Sequence, residues 1–157
     1  MKINIISVGH KPPKWTEDGC REYLKRFQRD LSITLTEIKP AFRIGDTYKN
    51  HLARMKEKDR ILSKSNKNAD MIALDESGTQ TTTNELAELL THCMTEGRDL
   101  DFVIGGADGL APEIKMQADK TISLSRMTYP HALARLILIE QLYRTQCIIK
   151  NHPYHRE

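Results

Sequence analysis

Short β-branched and apolar runs recur along this chain, each separated from the next by a segment long enough for a helix. They fall at residues 3–8 (INIISV), 31–38 (LSITLTEI), 71–74 (MIAL), 101–106 (DFVIGG) and 121–125 (TISLS). Runs of this length read as strands. In 31–38, Leu31, Ile33 and Leu35 alternate with Ser32, Thr34 and Thr36, the pattern of a half-buried strand. Helical spacing through Trp15, Tyr23, Leu24 and Phe27 fills the first gap, after the break at Pro12 and Pro13. Residues 40–68 are charged and mostly basic, with Leu52, Met55 and Leu62 as a weak apolar face, so they predict a loop and one solvated helix. The segment DESG after the third run predicts a turn. Thr83 or Asn84 is placed to cap the next helix, to about Met94. Pro112 suits the first turn of a helix over 113–118, and Pro130 opens the most apolar helix, to about Cys147. Alternation of strand and helix predicts a single α/β domain over 1–157, with a mostly parallel sheet covered by helices on both faces.

Composition narrows the class. With 39% hydrophobic and 29% charged residues, the chain fits a soluble globular protein and neither disorder nor a membrane span. Its longest apolar stretch, LILI at 136–139, is far short of a transmembrane helix. The N-terminus reads as a strand and not as a signal peptide. Cys20, Cys93 and Cys147 are widely spaced and odd in number, which favours reduced thiols in a cytoplasmic protein over a disulfide framework. A net charge of +3 permits a polyanionic partner without demanding one.

Three stretches carry candidate chemistry. IGGADGL at 104–110 places paired glycines directly after a buried strand, where backbone can approach a ligand closely. It has neither dinucleotide-fingerprint spacing nor a P-loop lysine, so a pyrophosphate cradle is not expected; a tight turn is the plainer reading. SLSRMTYPHALAR at 123–135 joins a strand to a helix through a hydroxyl-rich loop whose backbone groups can read a purine edge, or simply connect the two elements. The helix from His131 to Gln146 is apolar on more than one face, through Leu133, Leu136, Ile137, Leu138, Ile139 and Leu142. Such a helix is covered on both sides, which predicts a two-fold dimer with Arg135, Glu140 and Arg144 near the interface or in an exposed charge stripe. Lys11, Lys14, Arg21, Lys25, Arg26 and Arg29 form a basic strip that either faces phosphates or is merely solvated.

The chain ends on KNHPYHRE, an unusual density of functional side chains for a terminus. His152 and His155 are three apart, but only Cys147 is near enough to join them, so no metal site is expected. Tyr154, His155 and Arg156 suit stacking on a base and pairing with phosphate, although a flexible basic tail has the same composition. No serine–histidine–acid set, carboxylate pair or Cys–His pair stands out. That favours chemistry done by positioning a reactive cofactor.

Taken together, SVGH, EYLKRF, LDESG, FVIGGADGL, LSRMTYPHALAR, LIEQLYR and NHPYHRE occur in the order and spacing of the RlmH family, and the chain closely resembles it over essentially its whole length. These are SPOUT-class methyltransferases that act on a pseudouridine in 23S ribosomal RNA. The resemblance implies an α/β fold with a deep C-terminal trefoil knot, a homodimer packed through the knotted regions, and S-adenosylmethionine as cofactor. Carried over by motif, the cofactor contacts are Leu74, Gly105, Leu124, Ser125, Arg126, Met127, Thr128 and Tyr129. It further implies that Tyr154, His155 and Arg156 serve RNA binding or catalysis near the cofactor pocket of the dimer, with His155 placed to help remove the N3 proton. The implied product is N3-methylpseudouridine, made late, on the assembled ribosome; neither DNA nor a membrane is an implied partner. Residues 42–68 match only loosely and receive no role. Two other classes fit parts of the sequence: a non-catalytic ribosome- or RNA-binding module, and an adenine-nucleotide enzyme using the same strand-end crevice.

Overall fold

A computed structural model describes residues 1–42 and 47–156, without the side chains at 47–49, 155 and 156. Five strands form one parallel sheet: β1 (Lys2–Val8), β2 (Ser32–Ile38), β3 (Ala69–Gln80), β4 (Asp99–Ile104) and β5 (Lys120–Ser123), in the order β2-β1-β4-β3-β5. Helices α1 (Lys14–Leu24), α2 (Thr47–Lys64), α3 (Thr83–Thr95), α4 (Pro112–Gln117) and α5 (His131–Ile149) join and follow them. A single 3-10 turn, Pro153–Arg156, ends the described chain.

The strands carry apolar residues on both sides because both sheet faces are covered. Ile3, Ile5, Ile72, Leu74, Leu100, Phe102 and Ile104 face one core, where Cys20 of α1, Leu86 and Leu90 of α3, and Leu138 and Leu142 of α5 meet them. Their neighbours Ile6, Val8, Ala73 and Val103 point the other way, onto Ile61 of α2 and Ile114 of α4. This is the period-two alternation of a strand applied to a sheet with two interiors. Truncating Phe102, fully buried in the first core, to Ala would cost about 3–5 kcal/mol.

Strand β3 departs from expectation. The DESG segment does not end it in a turn; the strand runs twelve residues, from Ala69 to Gln80. The turn chemistry is spent on a bulge instead: Leu74 and Thr79 both pair with Ile122 of β5, so residues 75–78 leave the ladder between them. Asp75 braces the bulge by accepting from the Ser77 amide at 3.0 Å and the Ser77 hydroxyl at 2.5 Å. Gly78 is required where the strand rejoins, since a Cβ there would lie 2.6 Å from the Ile122 carbonyl carbon.

The cap of α3 is Thr82, and not Thr83 or Asn84. Thr82 Oγ1 accepts from the Glu85 amide at 3.2 Å, and Glu85 Oε2 accepts from the Thr82 amide at 2.7 Å. The reciprocal pair satisfies two amides that a cap at either later residue would leave open. Pro130 does precede α5, which continues to Ile149, two residues past the expected end. Arg135 belongs to neither an exposed stripe nor an open face: it is 4% exposed and donates to Glu37 of β2 at 2.7 Å. All three cysteines are free and buried.

Candidate active site

A cleft of about 840 Å³ opens at the carboxyl ends of β3, β4 and β5. Parallel sheets bind ligands at this edge because the strand-to-helix loops meet there. Leu74 and Ile104, paired across β3 and β4, line it where those strands end. The bulge contributes Asp75, Glu76 and Ser77 to its wall. Burial pushes the Asp75 carboxyl up, but hydrogen bonds from Ser77 and the Lys115 ammonium at 3.2 Å outweigh it and hold the group below its ordinary range.

The glycine loop supplies the second wall. Gly109 has φ +73° and its amide donates to the Gly106 carbonyl at 3.0 Å, closing a tight turn. This turn brings backbone against Gly105: a Cβ on that residue would sit 2.5 Å from the Gly109 carbonyl carbon and 2.7 Å from the Leu110 nitrogen. The loop is the tight turn expected of it, and it also lines the cleft.

The third wall is the loop from β5 to α5. Ser123 Oγ donates to the Ser125 carbonyl at 2.7 Å, and Ser125 Oγ accepts from the Met127 amide at 3.0 Å. Thr128 Oγ1 donates to Glu76 at 2.7 Å, tying this loop to the bulge. Of the cofactor residues expected from sequence, Leu74, Gly105, Leu124, Ser125, Met127, Thr128 and Tyr129 line the cleft together. Arg126 is exposed and is not among the lining residues. Its neighbours' hydroxyls hold the loop folded inward, and the long arginine side chain is left outside.

Several lining residues were not among the expected contacts: Asp108 lies in the glycine motif, His131 and Ala134 lie at the end of the 123–135 stretch, and Lys115 comes from α4. Burial, then the nearby Arg135 and His10, lowers the His131 pKa. Arg54 comes from α2, within the segment given no role. Ala53, Glu57 and Ile61 recur every four residues as the buried stripe of that helix, which sets Arg54 at the stripe's margin.

The tail lies elsewhere. The Tyr154 hydroxyl is 3.1 Å from that of Tyr23 on α1 and 3.3 Å from Glu140, its ring packs edge-on against Tyr143 at 4.8 Å, and the Arg144 guanidinium stacks 5.0 Å from its centroid. Arg144 also donates to Glu140 at 2.6 Å. Arg144 follows the cleft residue Ala134 by ten positions, or roughly 15 Å along the helix, and no described tail residue lines the cleft. The side chains of His155 and Arg156 lie outside the described residues. Among those that are described, no helix is long and apolar enough to cross a membrane.

A parallel sheet with a cleft at its carboxyl edge, walled by a glycine turn and two other strand-end segments, is an arrangement that comparison with known proteins makes specific. The chain belongs to the SPOUT methyltransferase family, whose model, described as "Predicted SPOUT methyltransferase", matches residues 1–155. It is 52% identical over 157 residues to a ribosomal RNA large subunit methyltransferase H of Thiobacillus denitrificans, covering 100% of both chains. It is 48% identical to a protein of the same name from Dechloromonas aromatica, covering 100% of this chain and 99% of that one. A Burkholderia mallei protein of that name is 46% identical over 156 residues, 99% of each chain. Among solved structures, a methylase family protein from Neisseria gonorrhoeae shares the fold, with a TM-score of 0.55, 14% identity, and coverage of 90% of this chain and 81% of that one.

Proposed function

We propose that this chain methylates N3 of a pseudouridine in 23S ribosomal RNA, using S-adenosylmethionine, on the assembled ribosome and as a cytoplasmic homodimer. The observation that carries this reading is the convergence of Leu74, Gly105 and the 124–129 loop on one cleft, in a chain 46–52% identical over its full length to ribosomal RNA methyltransferases.

The cleft suits that cofactor. Its volume is that of a small-molecule site, its walls are largely strand-end loops, and Gly105 packs so closely on the Gly109 backbone that the turn there leaves no room for a side chain. S-adenosylmethionine has no phosphate, in keeping with a glycine loop that lacks phosphate-binding spacing. Bound there, it would supply a methyl group already activated on sulfonium. The protein's part is to align N3 with that methyl, to exclude water and to accept the N3 proton, a role we assign to His155.

The dimer is supported by α5, whose Leu133, Leu136 and Ile137 remain half-buried, and by Trp15, 62% exposed on neighbouring α1. The tail packs away from the cleft of its own chain, so a composite site takes its Tyr154, His155 and Arg156 from the partner protomer. We further infer the trefoil knot of the family, supported by the meeting of residues 75–77, 105–110, 123–125 and 127–130 at one sheet edge.

The deciding measurement is transfer of labelled methyl from S-adenosylmethionine to intact ribosomes lacking the modification, with free 23S RNA alongside. Label in 23S RNA from intact ribosomes only is the expected result. Label on free RNA as well discards the assembled-ribosome requirement, and no label on either substrate by a folded dimer overturns the enzyme reading.

A further inference from the structure

Among the described residues, the acidic and lysine side chains on the cleft wall have partners, and Arg54 differs from them. Lys115 is tied to Asp75, and Glu76 accepts from Thr128. Asp108 also has an interaction partner. Arg54 lines the same cleft from α2, yet its Nε is buried with no hydrogen-bond partner, and it joins no ion pair among the described residues. Desolvating part of a guanidinium without an acceptor is costly, and a planar fork of donors is matched best by a carboxylate or a phosphate.

We propose that Arg54 receives an oxyanion at the wall of this cleft, supplied by the carboxylate at the amino-acid end of S-adenosylmethionine or by a phosphodiester of the RNA. The inference rests on the cofactor and substrate reading above. It assigns a binding function to a helix that the sequence motifs pass over. Arg54 lies beside the buried stripe that anchors α2 to the sheet, so the helix fixes the backbone from which its side chain reaches the cleft. The two sources share one chemistry and separate cleanly by experiment.

The full-length protein and its Arg54→Gln and Arg54→Lys variants are titrated calorimetrically with S-adenosylhomocysteine and with its decarboxylated analogue. Binding of a 23S RNA fragment is then followed by filter retention across a salt series. If the carboxylate is the ligand, R54Q binds S-adenosylhomocysteine about 10- to 100-fold more weakly and R54K falls between. The decarboxylated analogue then binds all three proteins alike, which also shows that the cleft is intact. If a phosphodiester is the ligand, cofactor affinities are unchanged and R54Q lowers the slope of log affinity against log salt by about 0.7–0.9. Unchanged cofactor affinity together with an unchanged salt slope overturns the proposal. Should the wild-type protein bind no S-adenosylhomocysteine, the cofactor reading fails by itself, and the salt slope still decides whether Arg54 meets a phosphate.

Discussion

The hydroxyl of Tyr154 sits 3.1 Å from that of Tyr23, joining the last turn of the chain to its first helix across 131 residues of sequence. The contact lies in an aromatic cluster with Tyr143 and Phe27, so the terminus is a packed element with defined partners. That gives it a position from which to present the residues that follow.

Its ionisation should report that packing. Burial first, then the Tyr23 hydroxyl and the Glu140 carboxylate, raise the Tyr154 pKa above its ordinary value of 10.0. A pKa raised on folding stabilises the native state fully below the unfolded value, and that stability is lost as pH rises through the folded one. In an alkaline titration followed by tyrosinate absorbance, Tyr154 should ionise above the ordinary tyrosine range in the wild-type protein. Tyr23→Phe should bring its transition down, and an unchanged transition would break the link.

Replacing the tail residues separates chemistry from cofactor binding. Tyr154→Ala or His155→Ala should lower methyl transfer while leaving S-adenosylhomocysteine affinity nearly intact, because the proposed cofactor contacts belong to Leu74, Gly105 and the 124–129 loop and not to the tail. Normal methylation by both variants would reduce the tail to packing alone.

Gly105→Val should abolish cofactor binding by moving the loop. The added carbon would lie 2.5 Å from the Gly109 backbone, and neither partner is a side chain that can swing aside. Overpacking of this kind costs typically 1–3 kcal/mol. Calorimetry should show no saturable binding, while thermal melting stays cooperative at a lower midpoint.

The capping box at Thr82 has a measurable worth. Thr82→Ala should destabilise the protein by about 1 kcal/mol in chemical denaturation. Hydrogen bonds from Thr82 hold the Glu85 pKa below its ordinary 4.5, so its contribution is present above that value and is lost as pH falls through the folded one. The difference between Thr82→Ala and wild type should therefore shrink in acid.

Arg135 and Glu37 make an unequal pair. Arg135 has a side chain 5% exposed, whereas that of Glu37 is 53% exposed. Glu37→Ala strands a buried guanidinium whose Nε already lacks a partner, at a cost on the order of 1–3 kcal/mol, limited by the exposed side of the pair. Arg135→Met fills the volume without the charge and should cost less. Equal losses in urea titrations would show that packing, and not charge, governs the site.

The chain's local patterning determined the order of its strands and helices. The β-branched runs give the five strands because side-chain alternation and burial on both faces are written in consecutive residues such as Ile5 and Ile6 or Ile72 and Ala73. The motifs also named most of the cleft, since Leu74, Gly105 and the 124–129 loop all fall where strands end. Cap and bulge positions were legible only in part: the DESG segment has turn chemistry, and it takes the pairing of Leu74 and Thr79 with one residue of β5 to make it a bulge. Asp108 and His131 fall inside those motifs, whereas Arg54 and Lys115 reach the cleft from α2 and α4, and no spacing relates them to it. Arg135 reads as an interface residue or part of an exposed charge stripe until β2 places Glu37 against it. Periodicity records which face of its own element a residue occupies. Which other element that face meets depends on strand order and on long-range packing, and only the tertiary structure decides it.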